Sequence, residues 1–177
     1  VKQDASGNAK DIALGLAKAI GSTKSGAIET TFNDETYLDL MSEQAVWPLI
    51  MNVLTEVFDL LVSKGHSPEA ILTELYLSRE PAFMMEKMAE VGLFRQLPMH
   101  SRTSQYGQLS RYKQVDTSYI RAFLEKQYEN ITNGSFASEW DNVMKDDLKE
   151  YRQLLDEALK SPISKAEDRV KNSLNRE

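Results

Sequence analysis

Ile28-Glu-Thr-Thr-Phe-Asn-Asp-Glu-Thr-Tyr-Leu-Asp-Leu-Met-Ser-Glu-Gln44 is the stretch on which the reading of this chain turns. Asn33 or Asp34 offers a short oxygen-bearing side chain that can cap a helix by accepting from its first free amides, and the residues after them read as that helix. Within it Asp39 and Glu43 stand four apart, so their carboxylates leave one face within reach of a common point. Two hard oxygen ligands on a rigid helix suit Mg²⁺, which takes one or two protein carboxylates and leaves its other positions to water and substrate oxygens. A solvated helix face produces the same spacing, so the pair alone defines a candidate and nothing more.

Downstream, the helix should run past Trp47, where Pro48 removes an amide and kinks or restarts it near Val46. Between Leu49 and Val62 apolar residues cover most of the circumference, the pattern of a helix buried in a core or between subunits. Gly65 ends it, and Ser67-Pro-Glu restarts the chain with Ser67 as cap and Pro68 at the first helical position. The next helix carries Glu74 and Ser78-Arg-Glu80 before Pro81, and a methionine-rich face from Phe83 to Leu93 reads as core packing or a subunit interface. Periodicity fades between Gln96 and Gln114, so this polar segment is expected to be a functional loop.

Helices are expected over about 117–129, from Ser135 through Trp140, and from Asp141 to Leu159 as one acidic amphipathic element. Pro162 starts a last, mostly polar helix expected to lie on the surface. Upstream, residues 6–20 form a broad helical stripe stopped by Gly21, and 22–32 read as an extended connection. No strand pattern or internal repeat is present, so the fold class is all-α.

The 177 residues suit a single domain with a proper core, and 41% hydrophobic with 27% charged residues is ordinary globular composition. A net charge of −6 argues against nucleic-acid binding, which needs a basic stripe. The absence of cysteine removes disulfides, thiolate metal sites and cysteine nucleophiles together. No apolar run approaches the ~20 residues of a membrane span and no signal-peptide pattern opens the chain, so the expectation is a cytoplasmic protein with no membrane partner. There is no Gly-x-Gly-x-x-Gly and no βαβ pattern, hence no nicotinamide-binding fold in these residues.

Several motifs occur in a characteristic order: Asp4-Ala-Ser-Gly-Asn-Ala, Ile28-Glu-Thr-Thr-Phe, Asp39-Leu, Glu43-Gln-Ala-Val, Ser101-Arg-Thr-Ser-Gln-Tyr-Gly107, Gly134-Ser-Phe-Ala-Ser-Glu-Trp140 and Ser161-Pro-Ile-Ser-Lys165. In this order the chain resembles, nearly end to end, the C-terminal helical domain of the ketol-acid reductoisomerases. The resemblance implies a knotted helical bundle forming an intertwined homodimer, or a larger oligomer, with active sites shared between subunits. It implies two Mg²⁺ per site, with Asp39 bridging both and Glu43 binding one, and Ser101 contacting the carboxylate of a 2-hydroxy-3-keto acid. The reaction implied is alkyl migration followed by NADPH reduction of 2-acetolactate or 2-aceto-2-hydroxybutyrate, in valine and isoleucine biosynthesis. NADPH would bind only through an N-terminal Rossmann domain that residues 1–177 lack, leaving this domain inactive alone.

The second carboxylate pair departs from the family pattern of two glutamates four apart. Counting from Asp39 places them on Glu74 and Ser78, whereas counting back from Gly92 places them on Tyr76 and Glu80. Glu74 and Glu80 are about 600° apart on a straight helix and cannot share its face. Either a local bulge by Pro81 repositions Glu80 as a ligand beside Glu74, or one ligand is missing. The alternatives are a non-catalytic helical dimerisation module and a paralogue acting on another 2-keto acid.

Overall fold

Prolines and short polar side chains set several of the helix boundaries in the computed structural model, which describes residues 1–173. In order, the elements are α1 (Ala9–Ala19), α2 (Phe32–Met41), α3 (Trp47–Ser63), α4 (Pro68–Leu72), α5 (Glu80–Val91), α6 (Arg102–Tyr112), α7 (Ser118–Thr132), α8 (Ser135–Lys145), α9 (Lys149–Leu159) and α10 (Pro162–Ser173). No strand occurs among the described residues, so the all-α reading holds. The cap of α2 is Thr31 rather than Asn33 or Asp34, its hydroxyl accepting from the Asp34 amide at 3.0 Å. Ser67 caps α4 as its Ser-Pro sequence requires.

Two wide turns interrupt the α-helical ladder. The first, Ser42–Val46, joins α2 to α3, with the Trp47 amide bonding five residues back to the Ser42 carbonyl. It lies directly before Pro48, whose ring has no amide to give the Gln44 carbonyl, so the expected kink is absorbed by one turn of π-helix. The second, Thr73–Leu77, follows α4, and there the Ser78 amide bonds to the Thr73 carbonyl at 3.0 Å.

The core is small. Phe58 of α3, Ile71 and Leu72 of α4, and Ala166 and Val170 of α10 are buried together, with Leu61, Leu75, Tyr76, Leu77 and Ile163 packed around them. A second contact sets α7 against α2 and the first π turn, with Tyr37 and Tyr128 edge to face at 6.4 Å. The surface is correspondingly large: the chain exposes 14261 Å², against about 8,700 Å² for a compact monomer of its 20.1 kDa mass. Met51, Val53, Leu60 and Val62 of α3, and Phe83 and Met85 of α5, all face solvent in the single chain.

Four expectations need correction. The polar segment 96–114 is not a loop: it holds a 3₁₀ turn (Leu97–Met99) and α6, because Ser101 caps a helix too weakly amphipathic to register as periodicity. The helix expected over 141–159 is broken, since Asp147 and Leu148 take positive φ (50° and 59°) between α8 and α9. The last helix is not a surface element, because Ile163, Ala166 and Val170 form a short apolar stripe that docks on the core. Finally, Phe32–Ser63 is one unbroken helical run of 32 residues whose most apolar window has a mean hydropathy of 1.6, so by length and composition it could cross a bilayer. Burial of Ala45 and Phe58 within it marks protein packing along that run.

Candidate metal and substrate site

Asp39 sits near the end of α2 and Glu43 on the first π turn, one turn further along the same helix. Both are exposed, and among the described residues neither carboxylate is engaged in an ion pair or side-chain hydrogen bond. The helix is held from behind, with Ala45 fully buried in the turn and α7 packed alongside. A rigid helix therefore presents two unengaged carboxylates to solvent, the donor chemistry that a hard divalent cation requires.

Glu74 lies on the second π turn and Glu80 opens α5. The two extra residues between them are absorbed by that π turn and by Arg79, which takes a left-handed conformation (φ 67°) and breaks the helix. Ser78, the other residue reached by counting, lies just before the N-cap residue Arg79, and its hydroxyl accepts from the Glu80 amide at 3.3 Å. Glu74 and Glu80 are both exposed, and among the described residues no ion pair or side-chain hydrogen bond engages either carboxylate.

The four carboxylates do not converge within one chain. Among the described residues no three His, Cys, Asp or Glu side chains gather closely enough to hold a metal ion. The physical reason is the packing: the first π turn lies against α2, α3 and α7, while the second lies against α4 and α5. Each pair fits a magnesium ion in its donor type, and within one chain the two pairs stay apart.

Ser101 is exposed at the N-terminus of α6, where its hydroxyl oxygen accepts from the Ser104 amide at 3.2 Å and its own proton is free to be donated. The segment before it is fixed by a network that sequence reasoning missed. Gln96 is almost fully buried; it donates to the Leu93 carbonyl at 3.2 Å, and its amide oxygen stands 3.1 Å from His100 Nε2. Gln105 then donates to the His100 carbonyl at 2.7 Å, and Phe94 packs edge to face on Tyr112 at 5.6 Å. Ser101 therefore sits on a braced corner. The sequence signal was Gln96 beside Leu97 and Leu93, a polar residue in an otherwise apolar patch.

A further pair was missed. Tyr76, in the middle of the second π turn, donates its hydroxyl to Glu167 Oε1 of α10. Burial first, and then the hydrogen bond to the Glu167 carboxylate, push the Tyr76 hydroxyl well above the usual tyrosine range. Two residues further on, Arg169 pairs with Glu69 of α4 at 2.9 Å.

Residues 32–176 match the sequence profile described as ketol-acid reductoisomerase, C-terminal domain. The chain is 38% identical to a putative ketol-acid reductoisomerase 3 of Saccharolobus solfataricus, over 99% of this chain and 53% of that protein. It is 39% identical to the ketol-acid reductoisomerase (NADP(+)) of Pyrococcus abyssi, over 79% of this chain and 42% of that protein. The corresponding enzyme of Pyrobaculum aerophilum is 33% identical, over 98% and 53%. The chain therefore spans about half the length of the curated relatives it matches. The structure of an NADH-preferring ketol-acid reductoisomerase from an uncultured archean superposes with a TM-score of 0.86 at 26% identity, over 97% of this chain and 52% of that one.

Proposed function

Because the chain belongs to the ketol-acid reductoisomerase family and corresponds to its C-terminal domain, we propose that it supplies the metal- and substrate-binding half of that enzyme. The reaction is migration of an alkyl group in 2-acetolactate or 2-aceto-2-hydroxybutyrate, followed by reduction of the new ketone by a nicotinamide bound outside these residues. Asp39 and Glu43 of one copy, with Glu74 and Glu80 of another, are the residues that would hold two Mg²⁺. When bound, such ions supply Lewis-acid stabilisation of the negative charge that develops on the substrate oxygens.

The chain's own residues have distinct tasks. Asp39 and Glu43 are presented exposed and, among the described residues, unpaired, so no internal ion pair has to be broken before a cation binds. Ser101 donates to the substrate carboxylate while its oxygen remains engaged as the cap of α6, which fixes the direction of its proton. The apolar surfaces of α3 and α5 are what a homodimer would cover, excluding water from the shared site. The observation that supports this reading is two exposed carboxylate pairs, each with one member on a π turn and unengaged among the described residues, that do not gather within one chain.

The test is calorimetric Mg²⁺ titration at neutral pH of the wild-type chain and of Asp39→Ala, with the oligomer checked by sedimentation. The expected result is saturable binding by the wild type that weakens by at least about a hundredfold in the variant, the scale of losing a charged ligand from a metal site. A folded wild-type oligomer that binds no Mg²⁺, even with a 2-keto acid present, would leave only the reading as a helical dimerisation module.

A further inference from the structure

The relative placement of Glu74 and Glu80 depends on the second π turn keeping its extra residue. Were residues 73–77 to tighten into regular α-helix, everything after them would rotate by about 100° and shift by about 1.5 Å, carrying Glu80 away from its place relative to Glu74. A π turn is the less favourable backbone and persists where its surroundings over-determine it. Local sequence holds little of this one, as Pro81 withholds only the amide that would reach the carbonyl of Leu77, the last residue of the turn, and leaves donors for the α-helical bonds to Thr73–Tyr76.

What holds it comes from the far end of the chain. Ala166 and Val170 anchor α10 in the core against Phe58, Ile71 and Leu72, which fixes the position of Glu167 between them. Glu167 accepts the hydroxyl of Tyr76, the fourth of the five residues in the turn, across 91 residues of sequence. The charged acceptor makes this a strong bond, and half-burial shields it from water. We propose that Glu167 is a positioning residue: through Tyr76 it holds the second π turn in its wide register and so sets where Glu74 and Glu80 stand relative to each other. The consequence for metal binding rests on the function proposed above; the bracing of the turn does not.

The experiment uses the full chain and two readouts. Amide hydrogen exchange at Ser78, whose amide makes the defining bond to the Thr73 carbonyl, reports the turn itself. In Tyr76→Phe and Glu167→Ala this amide should exchange roughly tenfold faster relative to the Phe58 amide in the core, while Glu167→Gln, which keeps an acceptor oxygen, should restore most of the protection. Ile163→Val, one turn before Glu167, alters the packing of α10 but keeps both partners of the bond, so it should change both amides by the same factor. Mg²⁺ affinity, read by calorimetry, should fall about tenfold in Tyr76→Phe and in Glu167→Ala, and no further in the double variant. Unchanged Ser78 protection relative to Phe58 in the first two variants overturns the bracing. Faster Ser78 exchange with unaltered Mg²⁺ affinity overturns the link to carboxylate placement. A wild type that binds no Mg²⁺ sinks the metal-site reading, and the Ser78 comparison still decides whether Glu167 braces the turn.

Discussion

Dilution is the perturbation that tests the proposed assembly most directly. The chain exposes 14261 Å², about 5,500 Å² more than a compact monomer of its mass. That surplus is several times the roughly 800 Å² per partner of a standard interface, and lies in the range of obligate assemblies that lack a stable folded monomer. For two chains of 177 residues unfolding together, the enthalpy at the midpoint is about 250 kcal/mol at ~0.7 kcal/mol per residue. Mass action then raises the melting midpoint by about 2 °C for each tenfold increase in concentration, or about 4 °C between roughly 1 and 100 µM. Circular dichroism melts across that range, with sedimentation at the same concentrations, provide the assay. A constant midpoint together with a monomeric sedimentation coefficient would refute the reasoning, because an intramolecular transition has no concentration term.

Two further predictions concern single side chains. Arg79→Gly should stabilise the fold by about 0.5–1 kcal/mol, since relief of the left-handed strain of ~1–2 kcal/mol exceeds the entropy glycine adds to the unfolded chain; urea unfolding midpoints measure it, and destabilisation would show that Arg79 makes contacts outweighing its strain. Glu69 is held below the usual glutamate range by its own backbone amide first, and then by Arg169 and Ser67. Its folded form favours the charged state, so the stability it contributes is present above the ordinary glutamate pKa and is lost as pH falls through its lowered value. Glu69→Gln should flatten that part of the pH–stability curve, and an unchanged acid limb would count against the link between α4 and α10.

Much of the architecture was legible because local signals and packing agree. Ser67-Pro68 marked the start of α4, the largely apolar run to Val62 marked α3, and the order of motifs from Asp4 to Lys165 pointed to the family. The errors fell where local signals are silent. The break at Asp147 and Leu148 contains neither glycine nor proline, so nothing in composition announces two residues of positive φ. The core role of α10 rests on only Ile163, Ala166 and Val170, spaced three and four apart in a helix that is otherwise polar. That spacing was visible, but an alanine at the centre of the stripe carries little hydrophobic signal although its small side chain permits close packing.

The two carboxylate pairs differ for the same reason. The first stands at a π turn that its own sequence prescribes: Pro48 deletes the α-helical bond to Gln44, and the wide turn costs little once that bond is gone. Asp39 and Glu43 could therefore be put on one helix face from local sequence alone, residues 28–48. The second pair straddles a π turn and a left-handed arginine, neither of which a neighbouring residue dictates. Its register is carried by a tyrosine hydroxyl bonded to a carboxylate 91 residues away. Counting along the sequence had to leave Glu74 with Ser78, or Tyr76 with Glu80, as the second pair, because counting does not register a π turn. In the structure Tyr76 donates to Glu167, Ser78 accepts from the Glu80 amide, and the Glu80 carboxylate has no ion pair or side-chain hydrogen bond among the described residues. A site whose first half is locally encoded and whose second half is tertiary should lose the second half first, so partial destabilisation of α10 is expected to weaken Glu74 and Glu80 as ligands while Asp39 and Glu43 keep their geometry.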